Sequence, residues 1–93
     1  MSNGRRVEAI RRRLREEFSP SFLEVEDESH AHVGHAGAAG GLGHFRVRIV
    51  APAFKGLSRL ARHQRIYASL GELMRTEVHA LTIEARAPDE GSS

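Results

Sequence analysis

Hydrophobic residues near the start of the chain are spaced as on one face of an amphipathic helix. The stripe consists of Val7, Ile10, Leu14 and Phe18. Steps of three and four residues separate these positions, which is the spacing of neighbouring side chains on a helix. Ser2 or Asn3 can cap its first turn, and Pro20 disfavours a helical conformation at Ser19. The pattern therefore predicts one helix that ends near Phe18.

Two later segments alternate hydrophobic and charged residues, which is the pattern of a half-buried strand. Residues 21–29 (SFLEVEDES) carry glutamates at the polar positions, and residues 44–51 (HFRVRIVA) carry arginines. These charges would attract if the strands paired as an antiparallel hairpin, by about 0.2–1 kcal/mol for each facing pair. Residues 30–43, rich in Gly and Ala, then form a hairpin loop that is much longer than usual.

A second helix is predicted after Ser58, which can serve as its N-cap. Its hydrophobic stripe is expected to contain Leu60, His63, Tyr67, Leu70 and Met74. Within this stripe we assign structural roles in packing to His63 and Tyr67, while the arginines of the segment project away from it. Gly71 is expected to break or bend the helix.

The last patterned segment, VHALTIEARAP from residue 78, alternates as a strand. Leu81, Ile83 and Ala85 share one face, and His79 has the same parity at the beginning of the strand. Parity alone favours a hydrogen-bonded histidine at the margin of the core over a metal ligand.

The predicted order is helix, strand, strand, helix or helix pair, strand. A chain of 93 residues suits a single domain, with a core over residues 5–87 and a disordered tail over residues 88–93. The fold class is α+β, with helices packed on one face of a three-stranded sheet. A helical crossover allows the second and third strands to run parallel, which predicts a mixed sheet.

Composition excludes several classes of function. The chain contains no cysteine, which removes disulfide scaffolds, thiol nucleophiles and clusters held by four thiolates of this chain. It has no apolar run long enough for a membrane span and no secretory signal pattern, so we expect a soluble, cytoplasmic protein without a membrane partner. No arrangement typical of an enzyme stands out, and we predict a non-enzymatic function.

Four blocks in order, LEVEDESHAHVGH, HFRVRIVAPAFKG, SRLARHQRIY and VHALTIEA, resemble a protein of the BolA family. The resemblance runs from about Val7 to Pro88. It implies a topology like that of class II KH domains and partnership with a monothiol glutaredoxin in iron-sulfur cluster handling. The implied cofactor is a [2Fe-2S] cluster shared with the glutaredoxin and its glutathione, with none expected in the isolated chain. The free protein is expected to be a monomer or a weak homodimer.

The resemblance also implies which residues bind the cluster. The histidine of the VHAL motif corresponds to His79, and a second ligand from the loop is best matched by His32. His35 and His30 are alternatives, because the loop is longer than in many family members and holds more histidines. These loop histidines could instead be solvent-exposed and inert, or could bind zinc together with His79.

An alternative function is DNA binding by a transcriptional regulator, which the resemblance also implies for some members. The basic residues on or before the second helix that could contact phosphates are Lys55, Arg59, Arg62 and Arg65. Against this alternative, the stretch Gly56 to Arg59 lacks the second glycine of a KH-type G-x-x-G loop.

Overall fold

The computed structural model describes residues 2–29 and 43–90. The elements, in chain order, are α1 (Asn3–Phe18), β1 (Phe22–Asp27), β2 (Gly43–Val50), a short 3-10 turn (Pro52–Phe54), α2 (Arg59–Leu70), α3 (Glu72–Thr76) and β3 (Val78–Arg86). This order confirms the predicted α+β arrangement, with Gly71 separating two helices. No helix in this described part is long and apolar enough to cross a bilayer. The class II KH comparison stays a prediction.

The three strands form one sheet in the order β1-β2-β3. β1 and β2 are antiparallel, whereas β2 and β3 are parallel, which confirms the predicted mixed sheet. α1 and α2 pack on one face, where their side chains join those of β2 in one hydrophobic core. The largest core side chains are Phe45, Phe54, Ile10, Leu14, Ile49, Ile66, Leu70 and Val47.

The other face of the sheet carries the predicted charge pairs. Glu24 lies opposite Arg48 across β1 and β2, and Glu26 lies opposite Arg46. Glu84 of β3 accepts hydrogen bonds from Arg48 Nε at 2.8 Å and from Arg46 Nη2 at 3.1 Å. Glutamates of β1 and β3 thus pair with the arginines of β2 between them, and these pairs favour the order β1-β2-β3.

The predicted hydrophobic stripe of α2 is wrong at two positions. Leu60 and Tyr67 are 67% and 40% exposed, so neither has the packing role expected of it, while His63 is partly buried. The buried positions are instead Arg62, Ile66 and Leu70, four residues apart. Arg62 can lie on this buried stripe because backbone carbonyls and a carboxylate accept hydrogen bonds from its N–H groups.

The predicted tail also begins with ordered structure. Residues 88–90 form a turn after β3 in which Glu90 N donates to Ala87 O. The Glu90 side chain accepts two hydrogen bonds from Arg62. The expectation of disorder from residue 88 is therefore wrong for these three residues.

Candidate functional site

His79 lies at an irregularity in the pairing of β2 with β3. Gly43 pairs with Val78, but the next residue of β2, His44, pairs with Ala80. His79 is therefore the extra residue of a β-bulge, which changes the alternation of side chains along the strand. Val78 takes the core position and His79 is exposed, so the expectation from simple parity was wrong.

Hydrogen bonds join the strand ends around this bulge. Gly43 N donates to Glu77 O at 3.1 Å, and Glu28 N donates to His44 O at 2.8 Å. Ser29 Oγ accepts from His44 N at 2.9 Å. The described residues on either side of residues 30–42 are therefore held at the end of the sheet that carries His79.

An ion pair attaches α1 to the same end. Arg6 Nε donates to Glu77 Oε1 at 2.8 Å, and Arg6 Nη1 donates to Asn3 Oδ1 at 2.7 Å. The hydrogen bond from Arg6 holds the pKa of the Glu77 carboxyl below its usual range, against an opposing effect of desolvation. Since Glu77 precedes β3 directly, this pair supports the backbone next to His79.

The other histidines are distributed more widely. His44 is half-buried on β2, with Nε2 4.0 Å from Glu28 Oε1. His63 lies on α2, where desolvation first and the Arg59 charge second lower its pKa. Of the predicted ligands, His30, His32 and His35 lie outside the described residues. Within residues 2–29 and 43–90, no three potential metal ligands come together.

The predicted nucleic-acid surface loses one of its four residues. Lys55, Arg59 and Arg65 are exposed, but Arg62 is only 9% exposed. Its guanidinium donates to Leu57 O and Ala85 O as well as to Glu90. The expectation that Arg62 projects away from the buried stripe of α2 is therefore wrong, and its N–H groups form hydrogen bonds inside the protein.

A family model described as "BolA-like protein" matches residues 14–90 of this chain. The chain belongs to the BolA family. The matched range includes all three strands, α2, α3 and the bulge at His79. It confirms the resemblance found in the four sequence blocks, and BolA-like proteins form a non-enzymatic family.

Three relatives show the range of proteins in which this domain occurs. Human BolA-like protein 1 is 48% identical over 80 residues, which cover 86% of this chain and 56% of the relative. The Arabidopsis thaliana protein named SufE-like protein 1, chloroplastic/mitochondrial, is 44% identical over an alignment of 92 residues, which covers 94% of this chain and 25% of the relative. A Haemophilus influenzae protein named DNA-binding transcriptional regulator BolA is 38% identical over 81 residues, covering 87% and 76%. The chain thus spans about half of the human relative and a quarter of the plant one.

A solved structure supports the BolA fold. The BolA domain of SufE1 from Arabidopsis thaliana superposes with a TM-score of 0.81 at 42% identity, over 92% of this chain and 95% of that domain. The α+β architecture with its three-stranded mixed sheet is therefore that of a BolA domain.

Two residues of this BolA domain have structural roles that sequence reasoning did not predict. Glu77 gives no local signal, because its partner Arg6 lies 71 positions away. Arg62 did give a signal, since it stands four residues before Ile66 and eight before Leu70, on their side of the helix. Hydropathy alone does not assign an arginine to a buried stripe, because arginine is seldom buried without partners.

Proposed function

We propose that this BolA-like protein is a non-enzymatic adaptor that binds a monothiol glutaredoxin and shares a [2Fe-2S] cluster with it. His79 is one proposed ligand, and one loop histidine is the second, with His32 preferred over His35 and His30. The glutaredoxin and its bound glutathione would supply the thiolates. Such a protein would serve iron-sulfur cluster assembly, trafficking or sensing.

The observation that carries this proposal is the exposure of His79 at the bulge. A bulge re-aims a side chain that would otherwise face the core, and here it exposes an imidazole at the end of the sheet. The loop histidines are tied covalently to that end, since His30 and His32 follow Ser29 by one and three residues. Ser29 itself is bonded to His44 of β2.

The donor chemistry of the chain fits a shared cluster rather than a resident one. Four ligands are needed, and a chain without cysteine offers no thiolate. Imidazole is a known ligand of one iron in [2Fe-2S] centres of the Rieske type, and it raises their reduction potential. His79 therefore suits a site that only a thiolate-bearing partner completes.

Co-expression with a monothiol glutaredoxin tests this proposal. The complex is purified with glutathione present, and its visible absorption and circular dichroism are recorded for wild type, His79→Ala, His32→Ala, His35→Ala and His30→Ala. We expect a coloured complex that is lost in His79→Ala and in one of the loop variants, because each removes a ligand.

His63→Gln is the matched control, since it removes a histidine on α2, away from the bulge. Far-ultraviolet circular dichroism of each free variant establishes that the fold is retained. A coloured complex that survives His79→Ala, or the absence of any complex with wild type, contradicts the proposal.

A second candidate function is DNA binding, because the Haemophilus influenzae relative is named a DNA-binding regulator. The basic surface for this function is Lys55, Arg59 and Arg65, without the buried Arg62. Contacts of this kind are made with phosphates and weaken as salt rises. Fluorescence anisotropy with duplex DNA tests it, and affinity unchanged in Arg59→Ala and Arg65→Ala contradicts this surface.

A further inference from the structure

An open groove of about 500 Å³ lies between the beginning of α2 and the end of β3. Its titratable lining consists of Arg59, Arg62, His63, Glu84, Arg86 and Glu90. The proposed iron-sulfur function does not use this groove, whereas Arg59 also belongs to the candidate DNA surface. The groove is built from three separate segments of the chain. The arrangement of its charges indicates what it can bind.

Glu90 fills part of the groove with a carboxylate. Arg62 Nη1 donates to Glu90 Oε1 at 2.6 Å, and Nη2 donates to Oε2 at 2.5 Å. Ala87 N adds a hydrogen bond to Oε1 at 3.0 Å. A two-pronged guanidinium with an added backbone N–H is a donor set that recognises oxyanions. Together these contacts hold the pKa of Glu90 at about 2.

The guanidinium is held in position independently of Glu90. Arg62 Nε donates to Leu57 O, and Nη1 donates to Ala85 O, both at 3.0 Å. These carbonyls belong to the segment before α2 and to β3. The Arg62 guanidinium therefore keeps its orientation if the Glu90 carboxylate moves away. Such a fixed orientation is the condition for a preorganised binding site.

The lining carries more positive charge than Glu90 neutralises. The second carboxylate, Glu84, is already bonded to Arg46 and Arg48 on the other face of the sheet. Glu90 is then the remaining carboxylate in this lining, which also holds the guanidinium groups of Arg59 and Arg62. The groove suits an anion that carries more than one negative charge.

We propose that this groove binds a phosphate dianion, either free phosphate or a phosphomonoester group, and that the Glu90 carboxylate occupies the site until the dianion displaces it. Arg62 binds two oxygens of the ligand, and Arg59 balances its second charge. When the turn over residues 88–90 moves away from Arg62, the guanidinium becomes exposed and the core is not disturbed. This site is independent of the proposed iron-sulfur function.

Titration calorimetry of the full chain with inorganic phosphate, at constant ionic strength and near neutral pH, tests the proposal. Glu90→Gln is expected to lower the Kd about tenfold, because removing an internal competitor increases the fraction of protein that is competent to bind. Asp89→Asn is the matched control. It removes the same charge one residue away, from an exposed pair with Lys55, and is expected to change the Kd by less than about twofold.

Three results would overturn the proposal. The first is equal affinity of Glu90→Gln and wild type, and the second is an equal gain in Asp89→Asn. The third is a Glu90→Gln variant that gains affinity for mixed-sequence duplex DNA but not for inorganic phosphate. That result would assign the groove to phosphodiesters. If Glu90→Gln does not fold, Glu90→Asp replaces it, since the shorter side chain cannot keep both contacts. Adding Arg59→Gln to either variant should abolish the gain.

Discussion

Arg6 Nε donates a 2.8 Å hydrogen bond to Glu77 Oε1, although 71 positions separate the two residues. Both side chains are largely buried, at 12% and 18% exposure. Glu77 also accepts from Gly43 N through its backbone carbonyl. One residue thus connects α1 with the beginnings of β2 and β3, where the bulge at His79 lies.

Arg6→Met is expected to lower the melting temperature by several degrees, because it leaves the largely buried Glu77 carboxylate without its partner. Thermal denaturation followed by circular dichroism measures this. Arg5→Met is the control, since Arg5 is exposed and its replacement should have little effect. Equal losses in the two variants would mean that the pair with Glu77 does not stabilise the fold.

Stability is expected to fall in acid between the ordinary carboxyl pKa of 4.5 and the value of about 2 for Glu90. In this range the unfolded chain binds a proton that folded Glu90 does not, so the free energy of unfolding decreases as pH falls. The pKa values of Glu77 and Glu84 are also lowered by their arginine partners, which adds to the slope.

Urea denaturation at a series of pH values between about pH 5 and pH 2.5 measures that slope. Glu90→Gln should flatten it, because the glutamine does not titrate. Asp89→Asn provides the comparison with an adjacent carboxyl outside the Arg62 contact. A slope that is the same in Glu90→Gln and wild type would show that Glu90 is not the linked group.

Gly43→Ala is expected to destabilise the protein by about 1–3 kcal/mol, because overpacking forces side chains or backbone to shift. A Cβ at Gly43 would lie 2.2 Å from Phe45 Cζ, and the Phe45 ring is completely buried. Urea denaturation gives the free energy of unfolding. Gly4→Ala is the control, because no atom lies within 4 Å of its added Cβ and alanine favours the helix. A loss in Gly4→Ala as large as that in Gly43→Ala would argue against the clash.

The observed buried stripe of α2 predicts a large loss of stability for one hydrophobic substitution and a small one for another. Ile66→Ala should lower the free energy of unfolding by about 2–5 kcal/mol, because it opens a cavity in the core. Leu60→Ala should change it by less than about 0.5 kcal/mol, because that side chain is exposed. Chemical denaturation of both variants measures the two effects. A larger effect at Leu60 than at Ile66 would support the stripe predicted from sequence and contradict the observed one.

The proposed histidine ligation predicts that the proposed complex with glutaredoxin loses its visible absorption as pH falls through about 6.5, because protonated imidazole cannot bind metal. A pH titration of the purified complex measures this. A [2Fe-2S] protein whose cluster has thiolate ligands only serves as the reference. Identical acid sensitivity of the two would contradict a histidine contribution.

Much of the architecture could be predicted from local patterns. α1 ends at Phe18, β1 and β2 pair with Glu24 opposite Arg48, and β2 and β3 run parallel, as the alternation and the crossover argument indicated. The stripe of α2 could not be assigned in this way. Hydropathy favours Leu60 and Tyr67 for burial and rejects Arg62. Of the partners that permit its burial, only Leu57 is near in the chain, while Ala85 and Glu90 come from β3 and the following turn.

The candidate site, like the fold, could be predicted from the sequence only in part. The VHAL motif and the family resemblance single out His79 as a proposed ligand, which stays a prediction. Strand parity placed His79 on the wrong face, since a bulge cannot be read from alternation within a single strand. The predicted ligands His30, His32 and His35 lie outside the described residues and stay predictions.

By itself, the sequence determined the helix and strand types, their order, the absence of thiolates and the membership in the BolA family, because these depend on local spacing and residue identity. Only the tertiary structure decided the exposure of His79, the burial of Arg62 and the link between Arg6 and Glu77. Each of these depends on a partner that is distant in the chain, and an arginine or a histidine takes its environment from whatever acceptor the fold brings to it.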